Sequence, residues 1–131
     1  MKLLLPFYPQ KASAGFPSPA TDYIEEDIDL NIHLIKNVPA TFIIRVQGKS
    51  MSDIGIYDGD LLVVDKSLQP KNFSTVIANV NDDLVVKNFI KEKDLQFLSS
   101  GSKNLKDKII LDTNSNIFIW GVVTYVIHAL H

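Results

Sequence analysis

The chain has 131 residues, 46% of them hydrophobic, so it can form one folded domain with a buried core. Its formal net charge of −2 offers no general electrostatic reason to bind nucleic acid. Cysteine is absent and the three histidines are scattered without metal-ligand spacing, which excludes a disulfide framework and argues against a metal enzyme. We therefore expect neither a metal nor a cofactor.

The composition of the N-terminal segment predicts an extended, mobile arm. Residues 1–20 hold four of the six prolines, which disfavour helix and central strand. The apolar run after Met1 is short and interrupted by Pro6, so it does not predict a secretion signal. No stretch approaches the ~20 apolar residues of a spanning helix. These features predict a cytoplasmic protein that does not contact the membrane.

An acidic stretch and a short helix follow the arm. Residues 22–29 hold five of the fifteen acids, which form either a solvated face or a docking strip for a basic partner. Asp29 is a candidate N-cap for a helix over Asp29–Lys36, and Leu30 and Leu34 fall on one side of it.

From residue 41 the pattern changes to short strands separated by polar turns. Asn81–Asp83 has the chemistry of a tight hairpin turn, and Gly121 predicts a bend or bulge in the last strand. The predicted strands are Thr41–Gln47, Leu61–Val64, Ser74–Val80, Leu84–Ile90, Leu95–Leu98, Lys108–Leu111 and Ile117–Ile127. They indicate a compact, mostly β domain, either a curled sheet or a partly open barrel. We predict an arm (1–14), an extended linker with the acidic stretch and helix (15–39), and the β domain (40–131).

Ser50 has two compatible interpretations. In Ser50-Met51-Ser52-Asp53 it matches a helix-capping signature, and capping serines are common. A serine at the start of a turn also has backbone N–H groups beside it that can hold a developing oxyanion. Gly48, two residues earlier, would let a substrate backbone come close. Ser50 is therefore also a candidate nucleophile, with Gly48 and Met51 as its neighbourhood.

Lys87 lies in an apolar run, where strand alternation places it on one face with Val85 and Phe89. An edge-strand lysine that blocks aggregation, with its amine in water, would explain the position. If the amine were instead buried, its charged form would be disfavoured, and a neutral lysine could take a proton from a serine hydroxyl. Lys87 is thus the candidate general base.

The segment Ala12-Ser13-Ala14-Gly15 has the composition of a flexible linker, and it also suits a protease cleavage site. Small residues fit a narrow cleft, and Gly15 leaves the carbonyl of Ala14 sterically open. Pro17 and Pro19 keep the following segment extended, the form that proteases bind by adding it to a sheet edge.

Taken together, these features resemble the UmuD/LexA family of self-cleaving proteins, over about residues 14–129. The motifs that carry the resemblance are Ala14-Gly15-Phe16-Pro17-Ser18-Pro19-Ala20, Asp29-Leu30-Asn31, Gly48-Lys49-Ser50-Met51, Gly55 to Asp65, Val85-Val86-Lys87 and Trp120-Gly121-Val122-Val123. Their combination is specific because the cleavage site, serine and lysine occur in the expected order.

The resemblance implies a β domain like those of LexA and signal peptidases, with Ser50 as nucleophile and Lys87 as general base. It implies a cut between Ala14 and Gly15. It further implies a homodimer, cleavage stimulated by a RecA–single-stranded DNA filament, and a role with a UmuC-like polymerase subunit in error-prone translesion synthesis during the SOS response.

Other functions remain open at this point. Repressors of the family carry a helix-turn-helix domain in front, which fourteen residues cannot form, so we expect no direct sequence-specific DNA binding. Signal peptidases share the serine–lysine chemistry but need a membrane anchor. A non-enzymatic β interaction module that regulates a polymerase or repressor is the main alternative. A small anti-repressor or toxin-type regulator that has lost the chemistry is another.

Overall fold

The computed structural model describes residues 2–13, 24–49, 51–100, 104–112 and 116–131, with 104–107 described by their backbone. The chain divides into two compact units, residues 1–36 and 37–131. The finer division into an arm, a linker and a β domain stays a prediction.

The described residues form a mostly β protein, as predicted, and neither of their two sheets closes into a barrel. The elements in chain order are β1 (Leu5–Phe7), β2 (Glu26–Ile28), α1 (Leu30–Leu34), β3 (Thr41–Arg45), β4 (Leu61–Asp65), β5 (Thr75–Val80), β6 (Asp83–Glu92), β7 (Leu95–Ser100), β8 (Asn104–Ile110) and β9 (Ile117–Ile127). Short 3₁₀ helices at Val38–Ala40 and Ser52–Ile54 precede β3 and β4.

The first unit contains the pair β1–β2 and helix α1. β1 and β2 are antiparallel, with Pro6 opposite Asp27, and a two-stranded sheet tolerates proline because its strands are edges. The side chain of Asp29 caps α1 by accepting a hydrogen bond from the backbone N–H of Asn31 at 3.0 Å, which confirms the predicted N-cap.

The second unit contains a seven-stranded sheet with the order β3-β4-β9-β5-β6-β7-β8, in which the paired strands are antiparallel. β5 and β6 form the predicted hairpin, with Val80 opposite Asp83. The two turn residues, Asn81 and Asp82, have φ of +50° and +72°, the pattern of a type I′ turn. Asparagine and aspartate tolerate this left-handed conformation better than most residues do.

The predicted irregularity at Gly121 is confirmed as a bulge. Ile77 pairs with Gly121 and Ala78 with Ile119, so Trp120 is left without a partner in the β5 register. A Cβ at Gly121 would lie 2.7 Å from Cγ1 of Val64, so the close approach to β4 also requires glycine.

The core lies on both faces of the sheet because β5 is buried on both. Ile77 packs in one cluster, while its neighbours Val76 and Ala78 pack in a second. The first cluster is made of Val46, Met51, Ile56, Leu62, Val64 and Ile77; the second of Val76, Ala78, Phe89, Leu98 and Val122. β6 runs beside β5, so its central residues, among them Lys87, lie next to this core.

Candidate active site

Lys87 is half-buried in the middle of β6, between Val86 and the buried Asn88. Phe89 belongs to the second core cluster and Val85 packs against it, while Val86 packs against the first cluster. Residues on both faces of β6 therefore pack against the core. The strand lies inside the sheet, between β5 and β7. An edge-strand role for this lysine is wrong.

The Lys87 amine donates a hydrogen bond to the hydroxyl of Ser100, with Nζ and Oγ 2.5 Å apart. Ser100 ends β7 and is 1% exposed. The β6–β7 register pairs Asn88 with Ser99, so one residue further along it places Lys87 opposite Ser100. The sequence reasoning missed Ser100. The sequence feature that could have indicated it is the pair Ser99-Ser100, which follows the apolar residues of β7. That strand forms a hairpin with β6, the strand that carries Lys87.

Lys87 also lines a cleft of about 300 Å³. The cleft is bounded by the end of β3, by Gly48 and Met51 in the loop after β3, by Ile77 of β5, and by Leu84 to Lys87 of β6. The structure thus brings together three of the residues singled out in the sequence: Gly48, Met51 and Lys87. Ser50, Ala14 and Gly15 lie outside the described residues.

The loop that carries Gly48 and Met51 is held by specific contacts. Gly48 has a φ of +99°, which favours glycine, and its N–H donates to Oδ1 of Asp58 at 2.8 Å. Met51 is 2% exposed and belongs to the first core cluster, so it anchors the loop. Because Asp58 occupies the Gly48 N–H, Gly48 contributes backbone conformation and free space to the cleft, and its N–H is not available to an oxyanion.

The helix-capping interpretation concerns the side chain of Ser50, which lies outside the described residues, so it stays a prediction. The short 3₁₀ helix Ser52–Ile54 has Met51 at its N-cap position, with no side-chain capping hydrogen bond. A short helical turn is present within the motif, as predicted.

The far end of the same loop is tied to the residue that follows β9. Oδ1 of Asp60, 3% exposed, lies 2.5 Å from Nδ1 of His128, and Oδ2 accepts from the Tyr57 N–H at 2.9 Å. Burial alone raises the pKa of this carboxyl, but the hydrogen bonds from His128 and Tyr57 outweigh it, so the pKa of Asp60 lies below its ordinary value. Because an ionised carboxylate only accepts, Nδ1 is the nitrogen that carries the proton.

Within the part of the chain that the structure describes, no three histidine, aspartate or glutamate side chains cluster as metal ligands would. In the same part of the chain, no helix combines the length and the apolar character needed to cross a membrane.

The described residues thus form a mostly β domain in which a half-buried lysine lines a cleft. The chain belongs to the Peptidase S24-like family, whose profile matches residues 6–124. This membership confirms the resemblance that the motifs indicated.

Named relatives cover most of the chain. Protein ImpA of Salmonella typhimurium is 40% identical over 123 residues, which are 94% of this chain and 83% of that protein. Protein MucA of Escherichia coli is 39% identical over 92% of this chain and 82% of its own length. The LexA repressor of Shewanella woodyi is 36% identical over 89% of this chain and 57% of the repressor.

Proposed function

We propose that this protein is a serine peptidase that cuts its own chain between Ala14 and Gly15, with Ser50 as nucleophile and Lys87 as general base. The observation that carries the proposal is the cleft: Gly48 and Met51, which bracket Ser50 in the sequence, line the same cleft as Lys87. Family membership supports the peptidase chemistry.

The reaction would proceed in two steps. Ser50 Oγ attacks the carbonyl carbon of Ala14 while uncharged Lys87 Nζ accepts the hydroxyl proton. The lysine then gives that proton to the Gly15 nitrogen as the peptide bond breaks, leaving an ester between Ser50 and Ala14. Water, activated by Lys87, hydrolyses the ester and restores both side chains. Backbone N–H groups beside Ser50 would stabilise the oxyanion.

Intact-mass measurement of the pure chain tests the proposal. At alkaline pH we expect slow loss of residues 1–14 and a product that begins at Gly15. Ser50→Ala should stay intact, whereas Ser52→Ala, an exposed neighbour, should be cut at the wild-type rate. An unchanged wild-type mass would instead support the non-enzymatic interaction module.

The family context extends the proposal to partners. A RecA–single-stranded DNA filament would stimulate the cut by favouring the arm conformation that reaches the cleft, a population shift. The shortened homodimer would then serve as accessory subunit of a UmuC-like translesion polymerase in the cytoplasm during the SOS response. Adding filament at neutral pH should accelerate cleavage of the wild-type chain, and an unchanged rate would contradict this regulatory step.

A further inference from the structure

The proposed reaction uses Lys87 and Ser50, but it gives no role to Ser100, the described hydrogen-bond partner of the lysine amine. We propose that Ser100 is a positioning residue: its hydroxyl holds the Lys87 amine in the orientation in which the lone pair can accept the Ser50 proton. This inference rests on the proposed function, and it adds a third residue to the machinery.

The fold makes Ser100 a rigid anchor. β7 is hydrogen-bonded to β6 and to β8, and Ser100 is 1% exposed, so its Cα and hydroxyl have little freedom. The lysine amine, by contrast, sits on a long flexible stem that loses rotamer freedom when it is ordered. A short hydrogen bond to a fixed neighbour on the adjacent strand restricts that stem before any substrate arrives.

The N–H bonds and the lone pair of the Lys87 amine allow it to bond to Ser100 and to accept a proton from Ser50 at the same time. A neutral amine has two N–H bonds and one lone pair, and donation to Ser100 Oγ uses only an N–H. The lone pair stays available for the proton of Ser50. After proton transfer the ammonium has three N–H bonds and still donates to Ser100, as a charge-assisted and stronger hydrogen bond. Ser100 keeps its own proton throughout, so it acts only through the lysine.

Ser99 supplies a matched control on the same strand. It is 0% exposed, and among the described residues its Oγ has no hydrogen-bond partner. Strand alternation directs its side chain to the opposite face from that of Ser100. Serine-to-alanine changes at the two positions remove the same atom from equally buried sites, and only the change at Ser100 removes a contact with Lys87.

Self-cleavage rates of four chains test the positioning role. Ser100→Ala should slow cleavage about 10–100-fold, the loss expected when a reacting group is misplaced by an ångström or less. Ser99→Ala should cut within about twofold of wild type. Ser100→Thr, which retains the hydroxyl, should restore most of the lost rate, and a purely structural role for the buried serine would not produce this rescue. Melting curves of the four chains confirm that the compared proteins are folded.

The outcomes separate this inference from the proposed function. If the wild-type chain is cut and Ser100→Ala keeps pace with it, the positioning role is wrong while the peptidase assignment stands. If Ser99→Ala slowed self-cleavage as much as Ser100→Ala, the positioning role of Ser100 would also be wrong, because the slowing would then come from a general packing effect. If the wild-type chain remains intact, the proposed function fails, and the role of Ser100 fails with it.

Discussion

At the scale of single residues, Lys87 combines apolar neighbours on its own strand with one polar partner on the adjacent strand. Strand alternation places it on one face with Val85 and Phe89; Phe89 belongs to the second core cluster and Val85 packs against that cluster. The polar partner is Ser100, which the β6–β7 register brings to the lysine from thirteen residues away in the chain. Local pattern predicts the face on which a side chain lies, and strand pairing decides its partners.

Replacing Lys87 by methionine tests the general base, since methionine keeps a stem of similar length without an amine. We expect Lys87→Met to slow self-cleavage by about 10²–10⁴-fold, the usual contribution of a general base. Lys91→Met is the matched control, because Lys91 lies on the same face of β6 four residues later and is exposed. Time courses of intact mass at alkaline pH measure both. A Lys87→Met chain that is cut at the wild-type rate would show that another group takes the proton.

At the scale of elements, the β5–β6 hairpin follows from turn chemistry that is local to the sequence. Its two-residue loop has positive φ at Asn81 and Asp82, and the Asp82 N–H donates to Oδ1 of Asn79 at 3.0 Å. The turn fixes the register of β6 against β5, and so places Lys87 opposite Val76. The position of the candidate base along the sheet therefore depends on this loop.

Substitutions at Asp82 test the turn. Asp82→Gly should raise the free energy of unfolding by about 0.5 kcal/mol, since Asn-Gly suits a type I′ turn best. Asp82→Ala should lower it by about 1 kcal/mol, because a Cβ is unfavourable in the left-handed region. Both variants keep the backbone N–H that bonds to Asn79. Urea unfolding monitored by tryptophan fluorescence measures the two changes, and equal stabilities for glycine and alanine would contradict the turn geometry.

The bulge in β9 is a second element-scale feature with a measurable consequence. Gly121→Ala would place a Cβ 2.7 Å from Cγ1 of Val64 and 3.2 Å from the carbonyl oxygen of Asp65. Val64 is fully buried, so it has little room to move, and overpacking of this kind costs about 1–3 kcal/mol. We expect a lower urea midpoint with an unchanged m-value. An unchanged midpoint would mean that β4 and β9 separate more easily than their contact suggests.

At the scale of the molecule, the pair Asp60–His128 joins parts of the second unit that are 68 residues apart in sequence. Asp60 precedes β4 and His128 follows β9, so the contact ties the loop beside the cleft to the C-terminal end of the long strand. The Tyr57 ring also lies beside His128, with centroids 5.3 Å apart. Nothing in the local sequence around either residue indicates this contact.

The lowered pKa of Asp60 predicts how stability depends on pH. The folded state keeps this carboxylate ionised to a lower pH than the unfolded state does. The contribution of the carboxylate to the free energy of unfolding is therefore complete above about pH 4. It is lost as the pH falls through the lowered, folded-state pKa. Asp60→Asn should therefore melt at a lower temperature than wild type at pH 7, and the gap should narrow on acidification below about pH 4.

Melting curves from pH 7 down to about pH 3 measure this gap. Glu92→Gln, which changes an exposed carboxylate at the end of β6, is the control and should follow wild type throughout. A constant difference between Asp60→Asn and wild type across the whole range would show that the carboxylate does not titrate differently in the folded state.

Sequence patterns were enough to predict the mostly β class, the Asp29 cap, the 81–82 turn, the irregularity at Gly121 and the family. Each of these depends on interactions between residues near one another in the chain, or on motifs whose order is itself the signal. The folded structure was needed to show that β6 lies inside the sheet, that Gly48 and Met51 share a cleft with Lys87, and that the Lys87 amine donates to Ser100. Strand order is set by contacts between segments that are distant in the chain, and the pattern within each strand does not specify which buried strands become neighbours.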